Sequence, residues 1–167
     1  MKSLTVPAAA LVAAVFAGGA AAPARHSAAR SAAVVANDNR ASAGAMHGDT
    51  LDVTLEAREG DWKPYGSAGP SVRILAFGEA GKTTQTPGPM IRVRAGTHVR
   101  ARVRNTVGST LVVHGLSTRR APEPDTLVVP AGTMRDVVFT ADDQGTFFYW
   151  ATTTGSSFAN RLYEDSQ

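Results

Sequence analysis

The feature that most constrains the fold is a strict alternation of apolar and charged residues over residues 98–104. Val99, Ala101 and Val103 alternate there with three arginines. Successive side chains of a β-strand point to opposite faces, so this pattern predicts a strand with one buried and one solvated face. Further strands are predicted from apolar runs at residues 51–55, 71–77, 90–94, 110–114, 126–129, 134–140 and 146–152.

Turn-forming residues separate these runs. Pro-Gly-Pro stands at residues 87–89, Ala-Gly at 95–96, Pro-Ala-Gly at 130–132 and Asp-Asp-Gln-Gly at 142–145. Short strands punctuated by glycine and proline are typical of a sandwich of two sheets. Beyond the N-terminal apolar stretch, we find no convincing helical period. The sequence therefore predicts an all-β Greek-key sandwich.

The N-terminus has the pattern of a secretory signal peptide. Lys2 provides a positive charge, residues 4–22 form an apolar stretch, and small residues then offer cleavage sites. The alternative, a transmembrane anchor, is disfavoured because the stretch is rich in alanine and glycine. We expect a signal peptide over residues 1–24, a flexible linker over 25–48, and one folded domain over 49–167 in a secreted or periplasmic protein.

Charge and motifs exclude several functions. The chain carries 17 basic and 14 acidic residues, and its arginines alternate along strands instead of clustering, so nucleic-acid binding is not expected. We find no nucleophile elbow, phosphate-binding loop or carboxylate pair placed for glycoside chemistry. There is no cysteine. A type 1 copper site needs a cysteine thiolate, so this chain cannot contain one.

Three segments together resemble the N-terminal cupredoxin, or plastocyanin-like, domain of multicopper oxidases. They read Thr-Pro-Gly-Pro-Met-Ile-Arg-Val-Arg-Ala-Gly at residues 86–96, Val-Val-His-Gly at 112–115 and Gly-Thr-Phe-Phe-Tyr-Trp-Ala-Thr at 145–152. The resemblance implies a Greek-key sandwich of cupredoxin type. In that family a segment like residues 161–167 leads into a closing strand, so we expect the last strand to be missing here.

The resemblance also implies a cofactor and partners. Such domains carry His-X-His-Gly on one strand and His-X-His on another, which supply half of a trinuclear copper cluster that reduces dioxygen. A later domain supplies the other half and the type 1 copper. Copper is thus the implied cofactor, and further cupredoxin domains of the same parent protein are the implied partners. We expect no nucleic-acid partner and no stable membrane span after cleavage of the leader.

Most of the implied copper ligands are replaced in this chain. Val112 stands at the first histidine position and His114 at the second, followed by Gly115. On the other strand, Trp150 and Thr152 replace both histidines. Valine has no donor atom, indole only donates hydrogen bonds, and a neutral hydroxyl is a poor copper ligand. His114 is therefore the sole candidate metal ligand, and no catalytic residue is assigned.

Two interpretations of His114 stay open: a ligand in a cluster completed by another domain, or a half-buried histidine with one hydrogen-bonded ring nitrogen. The sequence indicates the N-terminal domain of an exported multicopper-oxidase-like protein, inactive when isolated. One alternative is a non-catalytic structural or protein-interaction module without metal. Another is a small copper carrier that uses His26, His47 and His114.

Overall fold

The computed structural model describes residues 32–117 and 125–154. All regular elements in these ranges are strands, arranged as one eight-stranded and one three-stranded sheet. Within the described residues, no helix is long and apolar enough to cross a membrane. The strands are β1 (Ala32–Ala33), β2 (Val35–Ala36), β3 (Ala45–His47), β4 (Thr50–Trp62), β5 (Val72–Glu79), β6 (Gln85–Thr86), β7 (Thr97–Asn105), β8 (Leu111–His114), β9 (Leu127–Val129), β10 (Met134–Ala141) and β11 (Trp150–Thr152).

The core lies between the two sheets and is formed by the predicted alternation. Val99, Ala101 and Val103 of β7 are fully buried. Val113 of β8 and Val129 of β9 belong to the same buried cluster, although they come from the small sheet. Full burial of such a side chain contributes roughly 1.5–3 kcal/mol. The predicted all-β sandwich is confirmed.

The outer face of the large sheet carries a ladder of charges. β4 pairs in parallel with β7, which places the acidic residues of one strand beside the arginines of the other. Asp52 lies 3.7 Å from Arg100 and 3.5 Å from Arg102, and Glu56 lies 3.4 Å from Arg104. These pairs are partly solvated, so each contributes at most about 1 kcal/mol. The ladder explains why the arginines alternate without forming a basic patch.

Residues 32–47 differ from the flexible linker expected over residues 25–48. β1 and β3 pair with β4, and β2 pairs with β6. Val34 and Ala43 between them are buried. Each of these strands has only two or three residues. So short a strand leaves no readable period in the sequence, and it is held here by backbone pairing and two buried anchors.

One predicted strand is absent and another is shorter than expected. Residues 90–94 form no strand and have only a bridge between Ser42 and Met90. The last strand, expected over residues 146–152, begins at Trp150. A strand needs a hydrogen-bonded neighbour, which accounts for the absence of a strand at residues 91–94. Among the described residues, 91–94 have a neighbour on one edge only, formed by the Ser42 side chain.

Candidate functional site

The small sheet brings the four implied ligand positions together. β8 and β11 pair antiparallel, with Trp150 opposite His114 and Thr152 opposite Val112. Val113 between them is buried in the core, so alternation turns the side chains of Val112 and His114 to the other face. Directly opposed residues share a face, and these four side chains therefore form one quartet on the outer face of the small sheet.

One ring nitrogen of His114 is held by the backbone. Nδ1 lies 3.0 Å from the carbonyl oxygen of Asp125, and a carbonyl can only accept, so Nδ1–H donates. The hydroxyl of Thr126 lies 3.4 Å from the same nitrogen. In the neutral imidazole this arrangement leaves the lone pair on Nε2, which is buried and has no hydrogen-bond partner among the described residues. His114 thus presents one nitrogen in the form that a metal ligand requires.

The loop after His114 is fixed by Gly115 and Asp125. The N–H of Gly115 donates to the Asp125 carboxylate over 2.7 Å, while the carbonyl of Asp125 binds the imidazole. Gly115 has a φ of +84°, and an added Cβ would lie 2.3 Å from the carbonyl oxygen of Phe148. Only glycine fits this position. Asp125 was not predicted to position His114, because it lies 11 residues further along the chain and no local pattern in the sequence links the two.

Trp150 covers the imidazole of His114. The two rings are stacked, with centroids 4.2 Å apart and planes inclined by 18°. The indole buries apolar surface there and supplies no lone pair for a metal. Beside this pair, Val112 is half-buried and Thr152 is buried. An indole ring therefore occupies the position where the family carries a second imidazole.

The donor set does not fit a copper ion. Copper in proteins is held by several imidazole, thiolate or thioether groups, and the quartet contains one imidazole. Within residues 32–117 and 125–154, no group of three or more His, Cys, Asp or Glu residues could hold a metal. The buried Nε2 of His114, which has no hydrogen-bond partner among the described residues, could supply one metal ligand only.

The other histidines lie apart from this quartet. His47 is exposed in β3 and His98 is exposed in β7, both in the large sheet, whereas His114 belongs to the small sheet. Nδ1 of His98 lies 3.1 Å from the hydroxyl of Thr140. His26 falls outside the described residues. The structure does not bring His47 and His114 into one site.

Tyr149, next to the quartet, is held on the core side of the small sheet. Its hydroxyl donates to the carbonyl of Pro89 over 2.8 Å, and its ring meets Phe77 edge-on at 5.3 Å. Burial disfavours the charged phenolate and raises the pKa of Tyr149 well above its ordinary value of 10.0. The phenol is therefore a neutral hydrogen-bond donor that ties residue 149 to the Pro-Gly-Pro segment.

Comparison with known proteins places this geometry in a family. A family model described as multicopper oxidase matches residues 80–162. No curated protein matches the chain. A multicopper oxidase from Campylobacter jejuni, described as a metallo-oxidase, is 19% identical with a TM-score of 0.52, over 73% of this chain and 26% of that chain. The 2F4 variant of the McoA multicopper oxidase from Aquifex aeolicus is 20% identical with a TM-score of 0.52, over 73% of this chain and 25% of that chain.

A copper nitrite reductase from Nitrosomonas europaea is also similar, at 31% identity and a TM-score of 0.48, over 61% of this chain and 34% of that chain. The chain thus spans about a quarter of the length of the two oxidases. At 19% and 20% identity, the similarity to the two oxidases shows a shared fold. The match to the family model shows the relationship to multicopper oxidases. Copper is the cofactor that this kinship implies. The chain is a cupredoxin domain of the multicopper oxidase family in which the copper-ligand motifs are degenerate.

Proposed function

We propose that this chain is the N-terminal, plastocyanin-like domain of an exported multicopper-oxidase-like protein, and that it has no oxidase activity of its own. The observation that carries the proposal is the contact between His114 and Trp150 at two ligand positions of the family. An indole at the second position leaves one imidazole, which is too few for a copper cluster.

Export is supported by the sequence of the leader. Lys2, the apolar stretch over residues 4–22 and the small residues after it are typical of a signal peptide. The same sequence lacks cysteine, so type 1 copper in the parent protein would be held by another domain. In this proposal the domain contributes a folded scaffold beside the domains that carry the copper.

A second candidate is a structural or protein-interaction module that binds no metal. It is favoured by the apolar character of the quartet, where Val112 and Trp150 occupy ligand positions. The two candidates differ in whether His114 binds copper. A residual ligand would bind copper through Nε2 when a partner domain completes the site, whereas a metal-free module would not use it.

Copper and activity measurements on the purified chain test the proposal. We expect substoichiometric copper after incubation with Cu(II) and dialysis, and no oxidation of a phenol or a metal-ion substrate above a copper blank. Oxidation above that blank would contradict the absence of activity.

Two variants locate any copper that is bound. His114→Ala removes the buried nitrogen, and His98→Ala removes an exposed histidine of the large sheet. Stoichiometric copper that is lost in His114→Ala and kept in His98→Ala would support a retained ligand and eliminate the metal-free module. Sequencing the parent gene for a domain with His-Cys-His tests the multidomain assignment separately.

A further inference from the structure

The strand β10 gives the large sheet one long edge. Four strands end the hydrogen-bonded orders of the two sheets, and β10 has eight residues whereas β2, β9 and β11 have two or three. Natural sheet edges are protected from pairing with another chain by short strands, charged side chains or proline. In β10 the charged residues Arg135 and Asp136 stand near the start, and residues 137–141 contain neither a charge nor a proline. Most of this edge therefore lacks the usual protection.

Alternate residues of β10 direct their backbone groups to the free edge. The N–H of Asn105 donates to the carbonyl of Thr133 over 2.9 Å, in register with the antiparallel pairing of β7 and β10. Because hydrogen-bonded pairs alternate along an antiparallel ladder, odd-numbered residues of β10 bond to β7 and even-numbered residues point away from it. In the part of the chain that the structure describes, the N–H and C=O groups of Asp136, Val138 and Thr140 have no backbone partner. They form a row of donors and acceptors with which another strand can pair.

Apolar surface is exposed at the centre of this edge. Val138 lies on the outer face of the sheet and is 64% exposed. Val137 and Phe139 lie on the other face, where they pack against the core and are only partly buried. A strand that covered the edge with apolar side chains would remove this surface from water.

The sequence of β10 is complementary to that of a second copy of the chain, its partner, in one antiparallel register. When Val138 lies opposite the partner's Val138, Val137 lies opposite the partner's Phe139 and Asp136 lies opposite the partner's Thr140. Directly opposed residues share a face, so apolar side chains meet on both faces and each carboxylate meets a hydroxyl. The two-fold symmetry of such a contact repeats the last two pairs on the other side of Val138.

Neighbouring registers are less favourable. A two-fold axis at Val137 sets Asp136 opposite the partner's Val138, and an axis at Asp136 sets two carboxylates directly opposite each other. An axis at Phe139 sets Asp136 opposite the partner's Asp142. Like charges in direct opposition destabilise a strand pair. An axis between two residues would set backbone groups that point to the edge opposite groups that point away from it.

The hydroxyl of Thr140 is placed to bind a carboxylate. Nδ1 of His98 lies 3.1 Å from the hydroxyl oxygen of Thr140. When Nδ1 carries a proton, it donates to this oxygen, and the hydroxyl proton is then free to bond to the partner's Asp136. A charge-assisted hydrogen bond of this kind is stronger than one between neutral groups. It would form twice, once on each side of the two-fold axis.

We propose that two copies of this chain dimerise through β10, paired antiparallel about a two-fold axis at Val138. Their two large sheets then form one continuous sheet across the contact. The occupant of the edge is a second copy because the complementarity is between β10 and its own sequence. This inference does not depend on whether the quartet binds copper.

Single cysteines test the register, since the chain has no cysteine of its own. In the proposed dimer the Cα atoms of Val138 and the partner's Val138 are about 5.5 Å apart, within the range of roughly 4.4–6.8 Å that a disulfide spans. The two copies of Asp136 are about 14 Å apart, because Asp136 faces the partner's Thr140, four residues further along. Val138→Cys in the full chain should form a disulfide-linked dimer under mild oxidation, and Asp136→Cys should not. Absence of linkage in Val138→Cys, or equal linkage in both variants, would overturn the proposal.

Sedimentation equilibrium over a concentration series tests the association itself. The wild-type chain should show a monomer–dimer equilibrium. Val138→Lys sets two ammonium groups opposite each other and should raise the dissociation constant at least about tenfold, a difference of about 1.4 kcal/mol. Val72→Lys, at a valine of β5 that is 50% exposed, should leave the constant unchanged, and circular dichroism would confirm that both variants are folded. A wild-type chain that stays monomeric throughout, or equal weakening by both variants, would refute the proposal.

Amide exchange on the wild-type chain gives a readout that needs no variant. Raising the protein concentration should slow exchange of the Asp136, Val138 and Thr140 amides, which gain partners in the dimer. The Gly132 amide, in the exposed turn before β10, should be unaffected. Protection at residues 90–94 without protection in β10 would assign the contact to a different edge and contradict the proposal.

Discussion

The imidazole of His114 stacks on the indole of Trp150 across the β8–β11 pair, with ring centroids 4.2 Å apart. Both residues stand at positions where the family carries copper-binding histidines. The contact converts two ligand positions into an aromatic pair, while Asp125 still holds Nδ1 of His114 as it would for a metal ligand. The β8–β11 pair thus presents the four ligand positions of the family on one face, with a different set of side chains.

Restoring imidazoles should therefore restore metal binding. The double variant Val112→His and Trp150→His would place three imidazoles on one face with His114. We expect stoichiometric Cu(II) with the electron paramagnetic resonance signature of a tetragonal nitrogen site. The control pair Val112→Thr and Trp150→Phe adds no imidazole and should bind no more copper than the wild type. A folded double variant without copper would show that the face has lost the geometry as well as the ligands.

Gly115 should be far less tolerant of a side chain than Gly132. Both have positive φ, +84° and +70°, but an added Cβ meets the Phe148 carbonyl at 2.3 Å in the first case and nothing within 4 Å in the second. We expect Gly132→Ala to cost about 1–2 kcal/mol from the left-handed backbone alone. Gly115→Ala should cost about 2–5 kcal/mol, because the overlap with backbone is added. Urea unfolding of both variants measures the difference, and equal losses would contradict the close approach.

Asn105 should contribute more to stability than any surface polar residue. It is fully buried; its amide donates to the carbonyls of Ser109 and Val129 over 2.8 and 2.9 Å, and its side-chain oxygen accepts from the N–H of Val107 over 2.9 Å. Asn105→Ala would leave these three backbone groups without a hydrogen-bond partner. We expect the free energy of unfolding to fall by about 2–4 kcal/mol. Thr110→Ala, at an exposed residue, should stay within about 0.5 kcal/mol. Chemical denaturation of the two variants gives the comparison.

Stability should fall at alkaline pH because of Tyr149. Burial raises its pKa above the unfolded value of 10.0, so between these two pKa values the folded state keeps a proton that the unfolded state releases. The free energy of unfolding is unaffected below the unfolded pKa and decreases as the pH rises above it. Tyr149→Phe should remove this alkaline decrease and cost about 1 kcal/mol at neutral pH, through loss of the hydrogen bond to Pro89.

Tyr65→Phe is the matched control for the alkaline dependence. Tyr65 is 82% exposed, so its substitution should leave the decrease in place. An alkaline decrease that survives Tyr149→Phe would show that another group is responsible. Stability at each pH is measured by urea unfolding, and the tyrosinate absorbance reports ionisation directly.

Much of the fold could be predicted from the sequence where one face of a strand is buried. The alternation around Val99, Ala101 and Val103 gave the correct faces, since burial of that face fixes both the period and the register. Residues 32–47 could not be predicted in this way. Their strands are two or three residues long, and what holds them is backbone pairing to β4 and β6, which has no signature in the side chains.

The candidate site was predictable in part for a similar reason. The resemblance of residues 112–115 and 145–152 to the family motifs identified Val112, His114, Trp150 and Thr152 as ligand positions. The alternation of side chains along a strand implied that each strand presents its pair on one face. The stacking of His114 on Trp150 depends on the register between two strands that are distant in sequence. The support from Asp125 comes from a residue 11 positions further along the chain. Neither is encoded by the local spacing of residues.

The pairing of the N-terminal segment has a consequence for the order of folding. Ser42 meets Met90 and Arg92, and Val35 meets Gln85, so residues made early find their partners about 50 positions later. Closing such loops carries an entropic cost that local contacts do not repay, and proteins rich in distant contacts fold slowly. During synthesis β2 and Ser42 must therefore stay without these partners until residues 85–92 have emerged. β3 has no such delay, because its partners in β4, residues 50–52, follow it almost immediately.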